Sequence, residues 1–175
     1  MLLNLISVIL FNFVGGNIPP NYPTPPKTIN RLFYIQRNHN RNTVVYDANF
    51  RANGYVDENK PINVYWIRYE EGGRTMDLRA IEKRMAFGVK CKKIEGVANQ
   101  YRVKLVAYDE REFLLKQDGP FKASIYGFIN RKQAKVNCMY IFADNSGIMP
   151  DVKYVELYGT AVGSGEKLYE KINND

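Results

Sequence analysis

The chain has 175 residues, 45% of them hydrophobic and 13% aromatic, which is enough for one domain with a buried core and excludes a largely disordered protein. Its 25 Lys and Arg residues outnumber 18 Asp and Glu, and the net charge of +7 favours an anionic partner, such as a glycan, a nucleic acid, a membrane surface or an acidic protein. Two cysteines and one histidine, without a close CxxC spacing, do not make a zinc site, so we expect no metal and no cofactor.

The amino-terminal segment, MLLNLISVILFNFVGG, carries no charged side chain and contains an apolar run over residues 2–14. That run is shorter than the about 20 residues that span a bilayer, and it has the length of a secretion-signal core, although no Lys or Arg precedes it. Val14 and Gly16 are small enough for cleavage after Gly16. We therefore predict a signal peptide over residues 1–16, export to the periplasm or beyond the cell, and no transmembrane span in the mature chain. A buried amino-terminal strand is the alternative.

Residues 17–29 predict an extended linker, because five prolines fix φ there and remove backbone donors. We expect a single β domain over residues 30–175. The linker prolines are Pro19, Pro20, Pro23, Pro25 and Pro26.

From residue 31 onward the hydrophobic period is two, and turn residues recur at short intervals, which is typical of antiparallel β structure. The segments RLFYIQRN and TVVYDANF begin this pattern, and AKVNCMYIFAD and VKYVELYGTAV continue it. The alternation in AKVNCMYIF predicts that Cys138 faces the core together with Ala134, Val136, Tyr140 and Phe142. The sequence predicts a mostly β fold of about eight or nine strands, as a closed antiparallel barrel or a two-sheet sandwich.

One segment, TMDLRAIEKRMAFG, breaks the period of two. Leu78, Ile81 and Met85 recur at helical spacing and Gly88 follows them, which predicts one short helix near residues 76–86. Its charged residues are expected in solvent, namely Arg79, Glu82, Lys83 and Arg84. For the carboxyl-terminal segment GEKLYEKIN we expect a short helix, with a last strand as the alternative.

The segment RNHNRN, residues 37–42, holds the only histidine of the chain. Asparagine tolerates turn conformations, so Asn38, Asn40 and Asn42 predict a hairpin loop of about four to six residues with His39 exposed at its tip. Catalysis by a lone histidine would need an orienting partner, which the sequence does not reveal.

Other catalytic and nucleotide-binding motifs fail on spacing. None of Ser124, Ser146 and Ser164 lies in GxSxG. The segment GTAVGSGEKL lacks the Lys that follows the second glycine of a P-loop. Cys91 and Cys138 are compatible with one disulfide in an exported protein, and two buried free thiols are the equal alternative.

These observations favour a noncatalytic ligand-binding or interaction module. Its partner would be an anionic small molecule, a glycan or an acidic protein, and export argues against nucleic acid. The alternative function is an envelope hydrolase that uses His39 with a cysteine or a carboxylate. The candidate binding residues surround the first hairpin: Arg37 and His39 for an anionic group, Tyr46 and Asp47 for hydrogen bonds, Trp66 and Arg68 for stacking and charge.

Three segments together, FYIQRNHNRNTVVYDANF, PINVYWIRYEEGGRTMDL and KYVELYGT, resemble an uncharacterised family of exported bacterial proteins, a domain of unknown function. The resemblance covers residues 30–172. It implies a bacterial origin, export and a β-rich domain, and it supplies no active site.

Overall fold

The computed structural model describes residues 22–147 and 150–174 and is mostly β, as the sequence predicts. One short helical segment, residues 80–87, begins as an α-helical turn, Ala80–Glu82, and continues as a π-helix, Lys83–Phe87. A 3-10 turn covers Tyr69–Glu71. The strands are β1 Arg31–Arg37, β2 Asn40–Ala48, β3 Ile62–Arg68, β4 Arg74–Asp77, β5 Val89–Lys93, β6 Gln100–Leu105, β7 Tyr108–Gly119, β8 Lys122–Ile129, β9 Lys132–Asp144, β10 Asp151–Ala161 and β11 Lys167–Asn173.

All the strands belong to one sheet, which branches at β9. The main path runs β4-β3-β2-β1-β9-β8-β7-β6-β5, and β10 and β11 extend the sheet from the other edge of β9. β9 has 13 residues, so β8 pairs with residues 132–135 while β1 pairs with residues 138–141. The β1–β9 pair is parallel and the other described pairs are antiparallel. The sheet is therefore of mixed orientation, whereas the sequence predicted an antiparallel one.

The sheet curls into an open half-barrel, so the predicted closed barrel or sandwich is wrong. The main path holds nine strands, within the predicted eight or nine, and β10 and β11 bring the described total to eleven. β4 and β5 are the two ends of the main path, and residues 80–87 connect them. Period-two alternation tells which face of a strand is buried but not which strands pair, so it could not distinguish closure from an open curl.

The concave face of the half-barrel carries one apolar core, to which both halves of the sheet contribute. Phe33, Tyr46 and Trp66 come from β1–β3, and Tyr101 and Leu115 come from β6 and β7. The Phe33 and Tyr46 rings stack with centroids 4.2 Å apart. Burial of such large aromatic side chains is the main stabilisation that a curled sheet of this size obtains.

The two halves are tied together by the β2–β3 connection, residues 49–61, which docks on the β7–β8 turn. Gln117 donates through Nε2 to the Gly54 carbonyl at 2.8 Å, and its Oε1 accepts from the Val56 amide at 3.0 Å. Gly54 has φ +81°, and a Cβ there would lie 3.0 Å from Cε2 of Phe121. Both the left-handed backbone and the close approach of the Phe121 ring require glycine at this position.

A bulge in β9 reverses the side-chain alternation that the sequence predicts. Tyr158 of β10 pairs with Cys138, but the next residue, Gly159, pairs with Val136, so Asn137 has no register partner on β10. Val136 lies in the core before the bulge and Met139 lies in it afterwards. Cys138 is buried at 3% exposure, as the sequence predicts, but it lies on the other face of the sheet from Val136 and Met139, because one extra residue moves every later side chain to the other face.

The helical segment also differs from its prediction in its start and in which side chains are buried. It begins four residues later than predicted, at Ala80, because β4 occupies Arg74–Asp77. Leu78 is buried, but Ile81 and Met85 are 51% and 55% exposed. In a π-helix the hydrogen bonds join residues five apart, so the spacing of four between Ile81 and Met85 no longer marks the buried side.

The carboxyl-terminal segment is strand β11, which pairs with β10 along its length, and not the predicted helix. Leu168 is buried and Ile172 packs against the core. These residues are four apart, a spacing that suits one face of a helix and one face of a strand equally. The free edge of β10, which the sequence does not reveal, decides between the two.

The described part of the proline segment lies on the convex face of the sheet. Tyr22 donates through its hydroxyl to the Arg37 carbonyl at 2.7 Å, and Gln36 donates through Nε2 to the Pro23 carbonyl at 2.9 Å. The Tyr22 ring packs edge-on against Tyr140. The predicted signal peptide, residues 1–16, lies outside the described residues.

Candidate functional site

The open side of the half-barrel is covered by residues 80–87, and Trp66 of β3 lies beneath them. Trp66 is 2% exposed. Its indole Nε1 donates to Oε2 of Glu82 at 3.3 Å, and its ring meets Phe87 at 5.2 Å and 75°. The helical segment therefore contacts the indole through a carboxylate, that of Glu82, and through an aromatic ring, that of Phe87.

Two arginines lie against this indole. Arg37 is the last residue of β1, and its Cζ is 4.9 Å from the Trp66 ring centroid and 5.2 Å from that of Phe87. Arg68 is the last residue of β3, two positions after Trp66, and its Cζ is 5.5 Å from the indole. These distances are those of cation–π contacts, which are strongest when the cation is desolvated. We call Arg37, Trp66 and Arg68 the arginine–tryptophan site.

Both guanidinium groups retain unused hydrogen-bond donors. The Nε atoms of Arg37 and Arg68 are buried and have no hydrogen-bond partner among the described residues. Arg68 contacts Oε1 of Glu71 at 3.8 Å, a long ion pair. A buried charged donor without an acceptor costs more than a neutral one, so two of them side by side are expensive for the fold unless something binds them.

Three buried hydroxyl groups also lack a described partner, namely those of Thr43, Tyr69 and Tyr101. They are neutral groups, whose isolation costs less than that of a cation. Thr43 faces away from Val44, which lies in the core, because neighbouring residues in a strand point to opposite faces. Among the described residues, the buried charged groups without a hydrogen-bond partner are the two Nε atoms of the arginine–tryptophan site.

Arg37 remains a cation in this site. Burial lowers the pKa of Arg37, and the nearby charge of Arg68 lowers it further, while Glu82 and Glu70 act in the opposite direction. An arginine stays protonated at physiological pH even so. Burial would raise the pKa of Glu82, but hydrogen bonds from the Arg79 backbone, the Arg79 side chain and Trp66 outweigh it and lower that pKa. Glu82 is therefore an anion whose acceptor capacity is already engaged.

Tyr46 and Asp47, two of the predicted site residues, lie on opposite faces of β2, and Tyr46 contacts the helical segment whereas Asp47 does not. Tyr46 is fully buried, and its hydroxyl donates to the Phe87 carbonyl at 2.9 Å, so it anchors the helical segment. Asp47 points to the other face of β2, where it accepts from Arg31 Nε at 2.6 Å and from the Tyr65 hydroxyl at 2.8 Å. Both have structural partners at these positions.

His39 is exposed in the β1–β2 turn, as the sequence predicts. Arg37 pairs with Asn40, so the hairpin turn consists of Asn38 and His39, shorter than the predicted loop. Asn38 docks the turn on β9 through two hydrogen bonds with Ala143, of 2.8 and 2.9 Å. Within the described residues the His39 side chain makes no hydrogen bond with a cysteine or a carboxylate, so the structure does not assemble the dyad of a hydrolase.

Cys91 and Cys138 are free thiols in the structure. Cys91 lies on β5 and packs against the core, whereas Cys138 lies on β9, on the convex face after the bulge. β5 and β9 are four strand spacings apart in the sheet, with β6, β7 and β8 between them. At roughly 4.8 Å per spacing this separation is about 19 Å, far beyond disulfide reach. Burial raises the pKa of Cys91 to about 11 and that of Cys138 to about 12, so neither is a reactive thiolate.

Sequence reasoning missed Glu82 and Phe87, which complete the surroundings of Trp66. A regular α-helix with a period of 3.6 places Glu82 on the solvent-exposed side. The two residues are five apart and share the inward side of the segment, as π-helical hydrogen bonding allows. A spacing of five between an acid and an aromatic residue, just before a glycine, is the signal that was present in the sequence.

The described residues offer no group of three or more His, Cys, Asp or Glu side chains that could hold a metal ion. Nor does this part of the chain contain a helix long and apolar enough to cross a membrane. The chemistry that the site offers is that of hydrogen-bond donors and positive charge.

The fold and the site together define a half-barrel β domain in which two arginines with Nε donors that have no described acceptor lie on a buried tryptophan. The chain belongs to the family described as Domain of unknown function (DUF4833), whose model matches residues 33–171. That match spans β1 to β11 and confirms the resemblance to an uncharacterised family. No curated protein and no solved structure matches the chain.

Proposed function

We propose that the protein is a noncatalytic binding module that takes an anionic group, a carboxylate, phosphate or sulfate, at the arginine–tryptophan site. The observation that carries this proposal is the pair of buried Nε donors, on Arg37 and Arg68, without an acceptor in the described structure. The ligand would be a small molecule or a glycan that bears such a group.

The recognition would rest on charge-assisted hydrogen bonds. Each guanidinium presents a planar set of donors that matches the oxygens of a carboxylate or phosphate. Trp66 and Phe87 flank Arg37 and limit its rotation, so the entropy cost of fixing the guanidinium is already met by the fold. In partly buried surroundings these bonds are stronger than in water. Glu82 accepts hydrogen bonds from the Trp66 indole and from Arg79, and no described hydrogen bond joins it to Arg37 or Arg68.

His39 remains a predicted ligand contact, since it is exposed one turn away from Arg37 on the same hairpin.

The test of this proposal is a fluorescence titration, because Trp66 is the only tryptophan of the chain. Phosphate, sulfate, acetate, benzoate and phenyl phosphate are added in turn, and emission from Trp66 is recorded. We expect a saturable change with at least one of these anions and a loss of affinity of roughly tenfold or more in Arg37→Gln, the effect of one lost charge-assisted contact. Arg102→Gln is the matched control, since Arg102 is exposed on β6, away from this site. Equal responses of the two variants would refute the site.

We also propose that the protein acts outside the cytoplasm, in the periplasm or beyond the cell. The support is the uncharged apolar segment of residues 1–16, followed by small residues at a possible cleavage point. The test is the intact mass of the protein from its native host. A chain that begins at Asn17 supports export, and a full-length chain contradicts it.

A further inference from the structure

Two pairs of like charges lie directly opposite each other on β5 and β6. Lys90 pairs with Lys104, and Lys92 pairs with Arg102. Side chains at opposite positions have their Cβ atoms about 5 Å apart, and like charges there destabilise a sheet. Lys90, Lys92 and Arg102 are exposed and Lys104 is partly exposed. We call these four residues the basic patch.

The patch continues on β7 but is only partly neutralised there. Lys116 of β7 pairs with Gln100, two positions before Arg102, and therefore lies on the same face of the sheet. Glu112 is opposite Lys104 and 3.8 Å from Arg102, and both members of that ion pair are exposed. An exposed pair of this length contributes little. The fold thus retains repulsion that a polyanionic partner would relieve.

The form of the patch indicates a planar partner. The outward positions of β5 and β6 hold no aromatic ring, whereas surfaces for single-stranded nucleic acid stack bases on such rings. Three of the four charges belong to lysines, which act as hydrated point charges rather than as bidentate forks. The nearby depression of about 570 Å³ around residues 92–98 is open to solvent and does not enclose a ligand.

A second observation concerns the helical segment that leads into β5. Ile81 and Met85 are exposed there, and so are the neighbouring Lys83 and Arg84. Gly88 alone separates this segment from β5. Exposed apolar residues next to basic ones are typical of surfaces that insert shallowly into the headgroup region of a bilayer.

We propose that the basic patch and the exposed side of residues 80–87 together form a docking surface for an anionic lipid bilayer. The lysines and Arg102 provide attraction that depends on ionic strength, and Ile81 and Met85 provide a contact that does not. This inference is independent of the anion site, because none of its residues belongs to the arginine–tryptophan site.

The test uses the full chain and vesicles of phosphatidylcholine with or without one-third phosphatidylglycerol, in a co-sedimentation assay. We expect binding to the anionic vesicles only. Lys90→Glu with Lys92→Glu should weaken it at least tenfold and leave the melting temperature unchanged or raised, because each new carboxylate faces a cation. Lys27→Glu with Lys60→Glu is the matched control, since it changes the net charge equally at exposed sites elsewhere and should retain binding.

The apolar contact has its own readout. Ile81→Ser with Met85→Ser should lower the affinity for the anionic vesicles by a similar factor at every ionic strength, because the apolar contact does not depend on salt, and should leave the salt dependence of binding unchanged. Equal loss in the patch variant and its control would overturn the proposal, because net charge alone would then account for binding. Binding to heparin or to a single-stranded oligonucleotide without binding to vesicles would overturn it as well.

Discussion

Two regions of the molecule bury charge among aromatic rings, and they treat that charge in opposite ways. On the convex face, Glu156 of β10 is 7% exposed and accepts hydrogen bonds from the Tyr158 hydroxyl at 2.7 Å and the Tyr169 hydroxyl at 3.0 Å. On the concave side, Arg37 and Arg68 lie on Trp66 with Nε donors that have no described acceptor.

Whether the fold supplies hydrogen-bond partners distinguishes a buried charge that stabilises the structure from one that can bind a ligand. Tyr158 and Tyr169 are opposite each other in the β10–β11 pair, so the fold itself places two donors at Glu156. The arginines receive ring contacts but no matching acceptor, so the fold positions them without satisfying them. A buried charge that the fold satisfies stabilises the native state, and one that it leaves open is available to a ligand.

The largest effect that would test this contrast is the loss of Glu156. Glu156→Leu removes the acceptor of two tyrosine hydroxyls in a buried setting, and we expect a loss of about 2–4 kcal/mol in the free energy of unfolding. Urea denaturation measures it. Glu166→Gln, at an exposed acid that pairs with Lys132, is the control and should change stability by less than about 0.5 kcal/mol. If Glu156→Leu leaves the free energy of unfolding nearly unchanged, Glu156 is not a stabilising charge and the contrast with the arginines fails.

Replacement of Arg37 by methionine should have the opposite effect: it should preserve stability and reduce anion affinity. Methionine fills a similar volume between Trp66 and Phe87 without a buried charge, so we expect stability unchanged or increased by about 1 kcal/mol. Anion affinity should fall by about tenfold or more, as lost charge-assisted contacts require. Urea denaturation and Trp66 fluorescence give the two readouts. Strong destabilisation with intact binding would make Arg37 a structural residue instead.

A smaller, pH-dependent effect is expected at Glu82. Its pKa in the folded protein is lowered, so its ionised form adds stability above the ordinary carboxyl pKa of roughly 4.3, and this stability is lost as the pH falls through the folded pKa. Glu82→Gln should be less stable than the natural protein at about pH 7, by up to about 1 kcal/mol, and should approach it at about pH 3. Urea denaturation at both pH values measures this. A difference that does not vary with pH would contradict the role of its charge.

The smallest effect concerns the thiols. Both have a raised pKa, and Cys138 is the more buried, so iodoacetamide at about pH 8 should label Cys91 slowly and Cys138 more slowly still. In denaturant without reductant, mass spectrometry should find both labelled. If labelling requires a reductant, the two residues form a bridge that this fold does not allow.

The sequence was informative where a local pattern decides the structure. The period of two identified the β class, and the asparagine-rich segment identified the first hairpin with His39 at its tip. Arg37, Trp66 and Arg68 were predicted as site residues from their chemistry and their proximity in sequence, and the structure brings these three together because β1 and β3 flank β2 in the sheet.

The remaining features depend on interactions that the sequence pattern does not encode. The parallel β1–β9 pair joins segments about one hundred residues apart, and no local period reveals it. Asn137 has no register partner on β10, and this bulge places Cys138 on the convex face. The π-helical turn places Glu82 inward and Ile81 outward. Asp47 and Tyr46 are neighbours in sequence, but strand alternation places them on opposite faces.

The most direct measurement of the central claim is a nuclear magnetic resonance titration of the arginine Nε–H groups in ¹⁵N-labelled protein, with the anion that gives the tightest Trp66 fluorescence response. The account predicts that the Nε–H signals of Arg37 and Arg68 shift together and saturate at the concentration at which the fluorescence saturates, while those of Arg74 and Arg79 stay in place. Signals of Arg37 and Arg68 that do not move, or that move only in parallel with the exposed arginines, would contradict it.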